Sequence, residues 1–248
     1  MTTQGVSRIF VVLQLIAALI LIALFSFCLY VGIEKGSDAL YATLIPEILM
    51  IAGAVLANLI MRLKHRNQTS ELYLIPLFLL SVTLQSINLL PYVYSVTGFP
   101  VFRASIVVKL SRFFFLETAI LLFFASVLHL RSSVFTKTGT YVTFSSIAVL
   151  AVSFFVPANT AVVTADIHNS FLTIVAFVIT LLSVVTYLFA FLKDHEKYNL
   201  QHFITMFLIA AGEYIIMLSN DISLLSIIGS FAYFVGIIML CTVNPDGY

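Results

Sequence analysis

The chain has 248 residues, 61% of them hydrophobic and only 9% charged, with a mean hydropathy of +1.12. Soluble domains carry roughly 45–50% apolar and 25% charged residues, so this composition excludes an ordinary soluble protein and places the chain in lipid. A formal net charge of +1 offers no concentrated basic face, which argues against a nucleic-acid partner.

Crossing roughly 30 Å of hydrocarbon as a helix takes about 20 apolar residues. Eight segments approach that length. The first, Ile9–Ile33, carries Gln14 as a lone polar group suited to a helix-to-helix hydrogen bond. Its apolar stretch exceeds the roughly 7–15 residues of a signal-peptide core and no A-x-A-like site follows, so it reads as a retained anchor. The second, Ala42–Leu63, holds Pro46 and Glu47 near its start, with Asn58 on nearly the same face. The third, Glu71–Ser95, places Gln85, Asn88 and Tyr92 on one stripe. Pro91 interrupts that stripe and loosens the turn around it.

The fourth segment, Ala104–Leu130, is the most informative, because Lys109, Arg112 and Glu117 lie inside it. An ionisable side chain at membrane depth costs about 2.5–3.5 kcal/mol on insertion scales, so such groups usually face a bundle interior, a partner charge or a wet cavity. The fifth segment, Tyr141–Val156, is short and ends at Pro157. His168–Leu192, Leu200–Ser219 and Ile222–Val243 follow, the last two joined by the turn Asn220-Asp221. Glu213 sits in the seventh, after the small residues Ala210-Ala211-Gly212. Gly229 and Gly236 mark the eighth with a small-residue stripe that fits a helix contact or a dimer seam. A seven-span reading, with one re-entrant or interfacial piece, stays open beside the eight-span one.

Lys and Arg set the orientation. With the N-terminus inside, Arg8, Arg62, Lys64, Arg66, Arg131, Lys137, Lys193 and Lys197 fall on the cytoplasmic side, against Lys35 and Arg103 outside. Eight spans then leave both termini cytoplasmic. The expected fold is an all-α, polytopic transmembrane helical bundle, a single domain over 1–248 in the cell membrane. The connecting segments are turn-sized and leave no room for a separate soluble domain. The glycosylation sequon Asn67-Gln68-Thr69 lies in a loop expected to face the cytoplasm, where it would be silent.

Chemical motifs are sparse. The two cysteines, Cys28 and Cys241, form neither a metal pattern nor a disulfide framework and read as packing residues. There is no G-x-S-x-G, H-E-x-x-H or glycine-rich phosphate loop. The histidines are scattered; His129 and His202 could meet at the inner ends of their helices, but a metal needs three or four converging ligands, so they read as polar caps. No catalytic residue, metal site or cofactor is assigned. No inverted repeat is visible.

Depth along the helices puts Glu47, Lys109, Arg112, Glu213, Gln85 and Asn88 in the outer half of the bundle, where they are expected to line a polar cavity open to the outside. Lys109 and Arg112, about 60° apart on one face, should each reach a carboxylate on a neighbouring helix, with Glu47 and Glu213 as the candidates. Glu117 is about 140° from Arg112 and deeper, a candidate for a proton-linked switch. Together with Tyr92 these residues form the expected ligand-binding set. The preferred reading is a non-enzymatic sensor- or receptor-like binding module or accessory subunit. It takes a small anionic or zwitterionic ligand on Lys109 and Arg112 and works through a protein partner or a homo-oligomer. A small-solute or proton-coupled transporter is the alternative, and a lipid-modifying enzyme is weaker still. Charged groups that only fix packing would explain the same pattern.

Overall fold

A computed structural model describes residues 3–34, 39–64, 70–98, 103–130, 138–157, 170–194, 197–218 and 224–242. These residues are almost wholly helical, in the order α1 (Thr3–Glu34), α2 (Ala39–Lys64), α3 (Ser70–Gln85), a 3₁₀ turn (Ser86–Leu89), α4 (Leu90–Thr97), α5 (Ala104–Leu130), α6 (Thr138–Phe155), α7 (Ser170–Asp194), α8 (Lys197–Leu218) and α9 (Leu224–Thr242). Each of the eight apolar segments falls on a helix, α3, the 3₁₀ turn and α4 together making the third. The sequon, the Asn220-Asp221 turn and His65, His168 and His195 lie outside the described residues.

The protein is a multi-pass membrane protein. Six stretches of the described helices are long and apolar enough to cross a bilayer: Ile9–Glu34, Leu44–Leu63, Leu74–Thr97, Ser105–Leu130, Phe171–Lys193 and Leu225–Thr242. Gly139–Phe155 of α6 is a shorter apolar helix. In α8, Asn199, Gln201, His202 and Glu213 dilute the apolar content, and the helix is sheltered by α7 and α9. The outward faces are predominantly apolar, with Val12, Ile16, Leu19 and Phe27 on α1 and Phe177, Leu181, Val185 and Phe189 on α7 all exposed. Surfaces of that kind are stable only against acyl chains.

Inside, α5 is the central helix and packs on α3, α6 and α7. Of three apolar clusters among the described interior residues, two flank the buried polar residues. One joins Met50, Ala54, Leu79, Val82, Leu121, Ile209 and Tyr233; the other joins Phe25, Leu44, Leu89, Val93 and Val107 around α1, α2 and α4. Glu47 lies between Leu44 of one and Met50 of the other, and Gln85 and Ser86 lie between Val82 and Leu89. Polar side chains therefore occupy the seam between the clusters.

Glycine decides how α8 meets α9. A Cβ on Gly212 would stand 2.5 Å from the Tyr233 nitrogen and 2.7 Å from the Gly229 carbonyl oxygen, while one on Gly236 would stand 2.9 Å from the Ile209 nitrogen. The backbones touch where only hydrogen fits. The small-residue stripe thus serves a contact within this chain, and of the two uses the sequence allowed, the structure gives it the internal one.

The break in the third span follows from proline chemistry. Pro91 has no N–H to donate to the Ile87 carbonyl four residues back, and the Leu90 N–H bonds to that carbonyl instead, closing a 3₁₀ turn over Ser86–Leu89. α4 ends at Gly98, whose φ of +71° is the left-handed conformation glycine adopts freely, with its N–H on the Tyr94 carbonyl at 2.8 Å.

Candidate ligand site in the bundle interior

The ionisable residues separate into two groups. The first is a carboxylate centre formed by α2, α3, α5, α8 and α9. The Ser86 hydroxyl donates to Glu47 Oε2 at 2.6 Å. The neighbouring residue, Gln85, hydrogen-bonds the carboxyl of Glu213, which also lies within hydrogen-bonding reach of Thr118. Two consecutive residues at the α3 break therefore tie together carboxylates from helices far apart in sequence. Glu47 and Glu213 are 4% and 3% exposed, and Gln85 and Ser86 fully buried. Tyr233 of α9, also fully buried, lies in the neighbourhood of both carboxyl groups. Its ring passes close to Gly53 of α2, where a Cβ would stand 3.2 Å from Cε1. Neither Glu213 Oε1 nor the Tyr233 hydroxyl has a hydrogen-bond partner among the described residues.

The second group is the seam between α5 and α6. Lys109 Nζ stands 5.6 Å from the centroid of the Phe154 ring. Arg112, only 2% exposed, donates from Nη1 to the Pro157 carbonyl at 2.9 Å, just past the end of α6. Ser146 donates to Glu117 Oε1. Lys109, Arg112 and Glu117 of α5 thus each find a partner on or beside α6. That helix packs chiefly on α5. Its Val142, Val149 and Ser153 are buried, whereas Phe144, Ile147, Leu150 and Phe155 face outward.

The pairing expected from the sequence is corrected by this arrangement. Glu47, Glu117 and Glu213 each have neutral side-chain partners among the described residues, and neither Lys109 nor Arg112 is one of them. Two geometric facts explain it. Arg112 and Ser111 are one residue apart and hence about 100° apart around α5, so when Ser111 meets the Gln85 carbonyl at 3.4 Å, Arg112 turns toward α6. Glu213 also reaches Thr118, six residues beyond Arg112 and so about 9 Å deeper along α5.

The remaining members of the expected set lie apart. Asn88, on the 3₁₀ turn, has a buried Oδ1 without a partner among the described residues. Tyr92 is half-buried and packs in the cluster of α1, α2 and α4. Four residues of the two groups escaped the sequence reading: Ser86, Thr118, Ser146 and Tyr233. Hydroxyl side chains in apolar segments are common, and only the position of Ser86 beside Gln85, facing the proline-disturbed turn, hinted at a role.

Two further polar clusters are structural. Gln14 does bridge helices: its Nε2 donates to the Leu79 carbonyl at 3.1 Å and to Thr83 Oγ1 at 3.0 Å, and its Oε1 accepts from Asn58. At the other end of α5, His129 stacks on His202 at 4.6 Å between centroids and hydrogen-bonds Asn199 at 3.1 Å, with Tyr187 against both rings. The two histidines meet as stacked rings near the ends of their helices, His202 buried and His129 half-buried. Among the described residues no three His, Cys, Asp or Glu side chains are grouped to hold a metal ion.

Two clefts lined by described residues are apolar. One of about 250 Å³ lies among Ala17, Leu21, Leu84, Val107 and Leu110, and one of about 200 Å³ lies between α7 and α8 beside Tyr214. Compared with protein-family models, with curated proteins and with solved structures, the chain matches none.

Proposed function

We propose that this multi-pass protein is a non-enzymatic binding module of the cell membrane, receptor-like or an accessory subunit. Its ligand is a small anionic or zwitterionic molecule arriving from outside, with Lys109 and Arg112 receiving the negative group. The observation that carries this reading is the α5–α6 seam. A buried guanidinium at membrane depth has among its partners the carbonyl of Pro157, just past the end of a helix packed chiefly on α5. A carboxylate or phosphate binds a guanidinium more strongly than a peptide carbonyl does, because both partners are then charged and the contact is bidentate. Such a ligand can take the place of Pro157 and shift the outer end of α6. Glu117, tied to the same helix through Ser146, is the group that would make the response sensitive to protons. In the proposed topology eight helices cross the bilayer, with both termini in the cytoplasm.

A carrier is the second reading. It is favoured by the helix break at Ser86–Leu89 beside the carboxylate centre, since interrupted helices at the binding site are characteristic of alternating access.

Thermal unfolding of the full chain in lipid nanodiscs, against a panel of amino acids, betaines, small carboxylates and phosphates, tests the proposal. One class should raise the melting temperature, and Arg112→Gln should abolish the rise. No rise with any class, or a rise unchanged in both Arg112→Gln and Lys109→Met, overturns it. Uptake of the same compound into proteoliposomes decides for the carrier.

A further inference from the structure

We infer that the carboxylate centre is a binding site for a small monovalent cation of the alkali class, held between Glu47 and Glu213 with the Tyr233 hydroxyl completing it. The argument starts from charge. Two carboxyl groups from α2 and α8 are brought close by the consecutive residues Gln85 and Ser86, and the described side chains that hydrogen-bond them are neutral. In a medium of low dielectric constant two nearby carboxylates repel strongly, and among the described residues no cationic side chain bonds to either. A small cation between them meets that need directly.

The donor set points to the kind of cation. Carboxylate oxygens, the Ser86 and Thr118 hydroxyls and the Tyr233 phenol are hard oxygen donors, the class that binds alkali and alkaline-earth ions; thiolate and imidazole, which select transition metals, are not among them. Calcium usually gathers six to eight oxygens with several carboxylates and magnesium keeps several waters, whereas two carboxylates among fully buried side chains suit the more easily dehydrated alkali ions.

The second, independent observation is the state of the free oxygens. Glu213 Oε1 and the Tyr233 hydroxyl are buried atoms with no hydrogen-bond partner among the described residues. They come from α8 and α9, held backbone to backbone by Gly212, so both are fixed in position. Buried polar atoms in folded proteins are otherwise almost always satisfied, and such orphans mark places where an ion or water belongs. The ionisable groups facing the centre are Glu47 from α2, Glu213 and Tyr214 from α8 and Tyr233 from α9. α3 and α5 contribute neutral Gln85, Ser86, Ser111 and Thr118.

The experiment is thermal unfolding of the full chain in nanodiscs, at fixed alkaline pH and constant ionic strength, in lithium, sodium or potassium chloride against choline chloride. One alkali ion should raise the melting temperature by several degrees in a saturable way. Glu213→Gln should abolish the rise, and Thr143→Ala, on the exposed face of α6, should leave it intact. Tyr233→Phe, which removes a single oxygen, should weaken the half-saturating concentration by about tenfold, and it keeps the test valid where Glu213→Gln does not fold. Equal melting in all four salts overturns the inference, as does an ion effect that survives both Glu213→Gln and Tyr233→Phe. If the organic ligand still stabilises the protein while the alkali ions do not, the cation site falls and the binding module stands.

Discussion

The carboxylate centre and the α5–α6 seam hold the same kinds of side chain at membrane depth, yet they are built differently. In the centre, five helical elements converge and Glu47, Gln85, Ser86, Glu213 and Tyr233 are all buried among packed neighbours. In the seam, one helix faces one helix, and Lys109, Arg112 and Glu117 are met by an aromatic ring, a carbonyl at a helix end and a serine. Burial alone therefore does not tell what a charged residue does in a membrane bundle. A group fixed from many sides can select a ligand by geometry, whereas a group fixed by one movable helix can report that a ligand has arrived. The centre is held from several helices and the seam chiefly from one.

Substitutions should separate the two regions. The largest effect is expected from Gly212→Ala. Its methyl would collide with the backbone of Tyr233 and of Gly229, forcing α8 and α9 apart beside Glu213. Overpacking of that kind costs about 1–3 kcal/mol, and chemical denaturation in detergent should register it, together with loss of any cation response. Next is Ser86→Ala, which leaves Glu47 without its donor. Interhelical hydrogen bonds in membranes are worth about 0.6 kcal/mol on average and up to about 1.7, and this one, wholly buried and on a carboxylate, belongs at the upper end. Ser146→Ala removes the equivalent contact to Glu117 and should cost about 0.5 kcal/mol, since Ser146 is only half-buried on a peripheral helix. Labelling of a cysteine placed on the α6 face should rise in that variant and stay unchanged in Ser86→Ala. The smallest change is expected for Lys109→Met. Its cation–π contact with the exposed Phe154 is worth about 0.5–1 kcal/mol, partly regained by the apolar replacement, so melting should barely move. A stability ranking in which the seam variants exceed Ser86→Ala would erase the distinction between the regions.

Much of the fold was legible in the residues. Twenty-residue apolar runs leave the helix as the one backbone arrangement that satisfies every N–H and C=O in hydrocarbon, and each such run became a helix. Pro91 announced the weakened turn, and Gln14 its bridging role. In the carboxylate centre Glu47, Gln85 and Glu213 were marked as buried polar residues before any coordinates and do come together. The partner assignments were not legible. Lys109 and Arg112 were matched to Glu47 and Glu213 from depth, but whether two residues at one depth meet depends on the rotation of each helix about its axis and on which helices are neighbours. Asn88 and Tyr92 shared a stripe with Gln85, yet one has no bonded partner for its Oδ1 among the described residues and the other joins an apolar cluster.

Hydropathy and residue type, read along the chain, determined that this is an all-helical membrane bundle and which side chains are too polar for lipid, because the cost of exposing a peptide group or a charge to acyl chains is a local property. Tertiary packing alone decided that the glycine stripe joins α8 to α9, that a serine at a broken turn holds Glu47, and that Arg112 faces α6 while its neighbour Ser111 faces α3. Those outcomes depend on close backbone approach and on a rotation of about 100° per residue around each axis, and the order of residues carries neither until the helices are packed.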